Sequence, residues 1–241
     1  MNQQPETQFD RSRMLLGSDA LRTLSQSHVA VVGVGGVGSF IAEALARAGV
    51  GRLTLVDHDT VSISNLNRQL VALHSTLGQS KAAVMRQRIL DINPDCQVEA
   101  LELLYDAHTR EALFSRRPDY IADAIDMVKC KLDLIETALS RGVPIVSSMG
   151  TGNRLDPTKF CITDISKTSG CPLARVMRKE LRERGIRHHT VLASTELPRK
   201  PLPLAPLPPG KRAVPGSVSW TPPAAGMMIA GYIVRRLTGT E

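Results

Sequence analysis

The chain has 241 residues, 42% of them hydrophobic and 3% aromatic, with a formal net charge of +7. That length suits one large domain or two small ones with a true core, and the basic surplus attracts polyanions while the few aromatics leave little room for base-stacking platforms. Cys96, Cys130, Cys161 and Cys171 form no C-x-x-C pair, which argues against a zinc ribbon, a thiol redox motif or a disulfide scaffold.

The first residues, MNQQPETQFDRSRM, lack the apolar run of a secretory signal, and AAGMMIAGYIV near the end is too short to span a bilayer, so a cytoplasmic protein with no membrane partner is expected. Residues 29–33, VAVVG, predict a buried parallel strand. Val37, Ile41, Ala44, Leu45 and Ala48 then recur at helical spacing, and RLTLVD predicts a second strand. SKAAVMRQRILDIN predicts a helix stopped by Pro94, QVEALELL a strand, PDYIADAID a strand ending in acids, VKCKLDLIETALSRG a helix capped at Gly142, and VPIVSSMG a strand. This alternation predicts an α/β, Rossmann-like, doubly wound and mostly parallel sheet, with additional C-terminal strands and helices.

The pattern breaks after residue 150. Residues 153–171 read as irregular strands, CPLARVMRKELRERG as a basic helix, and AAGMMIAGYIVRRLTG as a closing helix. Seven of the fifteen prolines fall between Pro198 and Pro215, which predicts a loop or lid. The simplest organisation is one domain over 1–241, with an N-terminal helical arm (1–28), a nucleotide-binding core (29–150) and a substrate-binding and dimerisation part (151–241).

Gly33, Gly35, Gly36 and Gly38 form a glycine turn between strand and helix, where backbone can approach a phosphate and the helix N-terminus favours negative charge. Asp57 ends the next strand, where an acid accepts from ribose hydroxyls. These features alone leave NAD and ATP equally open. Asn65, Arg68, Gln69 and Lys81 follow, a cluster suited to offsetting triphosphate charge. Asp126, with Asp123 nearby, offers carboxylates for magnesium (Mg2+). Singly, such residues are more often surface charges or helix caps; their grouping favours the nucleotide.

The stretches RSRMLLG, GVGGVGS, LVDHDTVSISNLNRQ, GQSKA and DAID resemble those of the ThiF-type adenylating enzymes of the ubiquitin-activating superfamily. The resemblance implies that Gly35 and Gly36 line the phosphates, Asp57 binds ribose, Asn65, Arg68 and Lys81 contact the triphosphate, and Asp126 holds magnesium. It further implies a homodimer in which Arg13 acts on the neighbouring subunit's ATP.

Within that superfamily, FDRSRMLLG, PLARVMRKELRERGI, STELP and GSVSWTPPAAGMMIAGYIV resemble the tRNA threonylcarbamoyladenosine dehydratases. That branch implies ATP-driven activation of a threonyl carboxylate next to the tRNA anticodon, then ring closure with net loss of water. Arg175, Arg178, Lys179, Arg182 and Arg187 are the candidate tRNA contacts, since a basic helix can track phosphates; a solvated helix face is the alternative. Cys171, just before that helix, reads as an incidental residue, because cyclisation needs no thioester. Two other readings stay open: an adenylyltransferase that activates a small sulfur-carrier protein, and a redox or non-catalytic Rossmann protein. A sulfur-transfer protein partner is not decided by these motifs.

Overall fold

A computed structural model describes residues 6–202 and 215–240; most of the proline-rich 198–215 segment lies outside them. Two short helices, α1 (Asp10–Leu16) and α2 (Ser18–Gln26), precede the sheet. The core then alternates β1 (His28–Val32), α3 (Gly38–Ala48), β2 (Arg52–Val56), α4 (Lys81–Ile92), β3 (Gln97–Leu101), α5 (Arg110–Phe114), β4 (Tyr120–Asp123), α6 (Val128–Ser140) and β5 (Ile145–Ser148). The back half adds β6 (Phe160–Asp164), α7 (Pro172–Glu183), β7 (Thr190–Ser194) and α8 (Thr221–Thr238). No described helix is long and apolar enough to cross a membrane.

The strands form one sheet in the order β3-β2-β1-β4-β5-β7-β6, and every neighbouring pair is parallel except β6 with β7. Alternate side chains leave opposite faces. Val29, Val31, Leu53 and Leu55 meet Ile41, Leu45, Ile89, Ile229 and Ile233 on one side. Ala30, Val32 and Ile121 meet Leu134, Ile135, Met177 and Leu181 on the other. With both faces covered, β1 is buried along its whole length, which is why VAVVG carries no polar alternation. Strand order reverses between β1 and β4, and in such sheets the crevice outside the carboxyl ends at that point receives the ligand.

The doubly wound, mostly parallel sheet is as expected. The irregular strands anticipated over 153–171 resolve into one antiparallel edge strand, β6. An unanticipated strand, β7, sits between β6 and β5. Its sequence, TVLAS, is short and no glycine or proline brackets it, so only tertiary pairing identifies it.

Asp123 requires a correction. The sequence suggests a nucleotide or metal ligand beside Asp126, but its side chain is fully buried, with Oδ2 2.9 Å from the equally buried Lys131 Nζ. Asp123 Oδ1 accepts from the Ile125 N–H at 3.0 Å, and Lys131 Nζ donates to the Ile125 carbonyl at 3.0 Å. The pair therefore fixes the bend that follows β4 from below, and its desolvation leaves no face for a ligand. Beside it, burial and the Lys131 charge push His189 down to about 4, so this imidazole is neutral near pH 7, 2.8 Å from Ser147 Oγ.

Breaking a buried pair leaves an uncompensated charge, at a cost of about 3–5 kcal/mol. Lys131→Met should lose stability on that scale in chemical denaturation, and adding Asp123→Asn should restore most of it. A single variant as stable as the parent would contradict the pairing.

Candidate active site

A cavity of about 640 Å³ opens where β1, β2 and β4 end, a size typical of small-ligand sites. Gly33, Gly35 and Gly36 line it. Gly38 does not: it begins α3, and a Cβ there would stand 1.7 Å from the Gly33 carbonyl oxygen. Its part is packing, since only glycine lets the helix start settle on the strand end, where it aims its N-terminus at the cavity.

Asp57 accepts the Val34 N–H on Oδ2 at 2.6 Å and the Asp59 N–H on Oδ1 at 2.8 Å. It lines the cavity and is buried, so it braces the glycine turn in addition to offering lone pairs inward. The next stretch is laced to the start of α4: Val61 N–H donates to the Gln79 carbonyl at 2.9 Å, Gly78 N–H to Val61 at 2.9 Å, and Lys81 N–H to Asp59 at 3.0 Å. This lacing is why DHDTVSISNLNRQ and GQSKA, apart in sequence, meet at one site.

Lys81 is buried at the first position of α4, where a helix N-terminus repels a cation. Asp59 compensates, accepting from Nζ at 2.7 Å. Desolvation raises the Asp59 pKa, but the hydrogen bond and charge of Lys81, with His58, outweigh it and hold the carboxyl below its ordinary value. Lys81 and a positive helix end thus face the cavity together. Asn65, Arg68 and Gln69 line the same wall. Asn65 Oδ1 accepts the Ser62 N–H at 3.0 Å, which secures the short turn carrying this cluster. Arg68 Nη1 donates to the Ser64 carbonyl at 2.8 Å and to Asn67 Oδ1 at 2.9 Å, while the buried Gln69 Oε1 has no hydrogen-bond partner among the described residues. Asp126 is exposed on the cavity wall, just beyond β4.

Two lining residues escaped the sequence reading. Asp59 stands inside the quoted motif, but its pairing with Lys81 spans 22 positions and is purely tertiary. Arg154 is only 2% exposed and lines the cavity from the turn after β5, which the sheet order separates from β2 by β1 and β4. A lone arginine in an irregular segment carries no local signal of burial.

Three expected groups lie elsewhere. Asp123 is interior, as described. Arg13 is not among the cavity-lining residues of its own chain; it pairs with Asp10 at 2.7 Å on α1, beside the exposed Met14 and Leu15. The basic residues occupy the outer face of α7, whose Ala174, Met177 and Leu181 are buried. Arg175, Lys179 and Arg182 are exposed there, with Arg187 just beyond. Arg178 is half-buried and engaged, its Nη1 donating to the Thr168 carbonyl at 2.8 Å and Oγ1 at 2.7 Å. Cys171 is buried at the N-cap of α7, its sulfur accepting the Ala174 N–H at 3.5 Å, and lines the cavity.

A tRNA threonylcarbamoyladenosine dehydratase of Bacillus subtilis (strain 168) is 46% identical over 245 residues, covering 95% of this chain and 94% of its own. The crystal structure of Escherichia coli tRNA N6-threonylcarbamoyladenosine dehydratase, TcdA, in complex with ATP superposes with a TM-score of 0.87 at 33% identity, covering 96% of this chain and 94% of that one. A molybdopterin-synthase adenylyltransferase of Escherichia coli (strain K12) is 36% identical over 149 residues, covering 61% of this chain and 59% of its own. The model described as the ThiF family matches residues 9–241, and the chain belongs to that family.

Proposed function

We propose that this chain is an ATP-dependent tRNA threonylcarbamoyladenosine dehydratase that cyclises the modified adenosine near the anticodon. The observation that carries the proposal is that the glycine turn, Asp57, Arg68 and Lys81 line one cavity at the switch point. The near full-length similarity to dehydratases supports this reading over sulfur-carrier activation, for which the similarity covers less of the chain.

A carboxylate is a poor electrophile because oxide is its leaving group. In the proposed reaction a threonyl carboxylate oxygen attacks a phosphorus of ATP and forms a mixed anhydride, expelling the rest of the polyphosphate. The modification's own carbamoyl group then attacks the acyl carbon and closes the ring, and the phosphate product leaves with the carboxylate oxygen. The net change in the nucleoside is loss of one water. Closure within one molecule replaces a bimolecular encounter with proximity, so the chain needs no nucleophile of its own, and Cys171 keeps its capping place.

Lys81, Arg68 and the α3 N-terminus would meet charge developing on the phosphates. Asp57 would orient the ribose while bracing the turn. Asp126 suits magnesium: among the described residues it makes no ion pair, and magnesium takes one or two carboxylates plus phosphate oxygens. When bound, the ion would neutralise phosphate charge. On the outside, Arg175, Lys179, Arg182 and Arg187 would track the tRNA backbone; Arg178, engaged with Thr168, would contribute less. The enzyme would work in the cytoplasm as a homodimer, with the exposed Arg13, Met14 and Leu15 of α1 set at the subunit contact.

Incubation with Mg-ATP and threonylcarbamoyladenosine-bearing tRNA, then digestion to nucleosides, should show one water lost. Lys81→Ala and Arg68→Ala should each lower kcat by on the order of 100-fold, the usual cost of removing a group that stabilises transition-state charge, with the fold retained. Parental rates in either variant would remove that residue from the mechanism. In the same assay, Arg175→Glu with Arg182→Glu should raise KM for tRNA with little change in kcat; an unmoved KM would place the tRNA elsewhere.

Arg13→Ala dimers and Lys81→Ala dimers should each keep on the order of 1% of parental activity. Mixing and re-annealing the two should restore activity toward a quarter of parental, because one site of each mixed dimer then has both residues. No recovery on subunit exchange would rule out action in trans.

A further inference from the structure

Most buried charges in this fold are matched by a charged side chain, and the buried Asp57 is met by two backbone N–H groups. Glu43 meets Arg47 and Arg88, Lys81 meets Asp59, and Lys131 meets Asp123. Among the buried lysine and arginine side chains of the described residues, Arg154 is the one without an acid. It is 2% exposed, yet no ion pair among the described residues includes it. Its Nε donates to the Gly150 carbonyl at 3.1 Å, and Nη1 donates to the Glu196 carbonyl. Both acceptors are neutral. The nearby Glu196 carboxylate is committed otherwise, accepting from the Leu155 N–H at 3.1 Å and the Asp156 N–H at 3.0 Å.

The turn that carries Arg154 is rigidly built. Asn153 adopts a φ of 60°, a left-handed conformation that asparagine tolerates better than most residues. Its Oδ1 accepts the Gly216 N–H at 2.6 Å, and its own N–H donates to the Gly216 carbonyl at 2.8 Å. The arginine therefore lies in a fixed frame on the cavity lining after β5, with β1 and β4 between that strand and β2, which ends at Asp57. A guanidinium has five N–H donors in a planar fork that matches a carboxylate, and two of the five are used here. A desolvated cation without a counter-charge is costly unless a ligand supplies one.

We propose that Arg154 seats the carboxylate of the substrate's threonyl group. The assignment rests on the dehydratase reading given above. One carboxylate oxygen would pair with the free edge of the guanidinium, and the other would face the nucleotide end of the cavity. Arg154 is thus the residue by which this chain selects a modified nucleoside bearing a free acid.

The test is binding in the absence of ATP, which needs no turnover. The probes are tRNA carrying threonylcarbamoyladenosine and the same tRNA with that acid converted to its methyl ester. The parent should prefer the acid by about tenfold or more, the scale of one charge-assisted hydrogen bond. Arg154→Gln should bring the ratio near one while Mg-ATP affinity stays within about twofold. Should Arg154→Gln fail to unfold cooperatively, Arg154→Lys carries the test: it keeps the charge, loses the fork and should lower the ratio. An unchanged ratio in a folded variant overturns the assignment. So does an equal loss of Mg-ATP affinity, which would make Arg154 a phosphate ligand, and so does an active parent with no acid preference. A parent that neither prefers the acid nor dehydrates the nucleoside would instead defeat the dehydratase reading.

Discussion

The Asp57 carboxylate joins two strand ends, and the site depends on that join. One oxygen holds the backbone of the glycine turn at Val34; the other holds the chain at Asp59. Asp59 in turn holds Lys81. A single side chain at the end of β2 therefore sets both the glycine turn and the buried cation that line the cavity. Whatever ligand the cavity takes, Asp57 has this structural duty before it arrives.

Two buried cations show how the same desolvation cost leads to different uses. Lys131 is matched within the fold by Asp123, and the pair is spent on shaping the bend below Asp126. Arg154 has neutral carbonyls for partners and lies along the cavity. An internal acid closes the first; only a ligand can complete the second. Burial alone does not distinguish the two; Lys81, buried and paired with Asp59, still lines the cavity.

Much of the fold was legible in the sequence because its signals are local. The apolar run at 29–33, the glycine turn and the helical periodicity of 37–48 each lie within one element, and β1, α3 and β2 form where they predict. The Asn65, Arg68, Gln69 and Lys81 cluster was legible as a group, and the structure brings all four to one wall. What was not legible is tertiary. The inward direction of Asp123 depends on Lys131 across the turn, and the Asp59–Lys81 pair on lacing between distant segments. The burial of Arg154 depends on residues near 196 and 216, and β7 on finding two partners at the far side of the sheet.

The central claim is that the cavity brings a substrate carboxylate to a phosphorus of ATP. Isotope transfer tests it most directly. With 18O in the threonyl carboxylate of the modified tRNA, one turnover should deliver a single labelled oxygen to the phosphate-containing product of ATP. If the nucleoside cyclises while that product carries no label, the carboxylate was never joined to phosphorus, and the account is wrong.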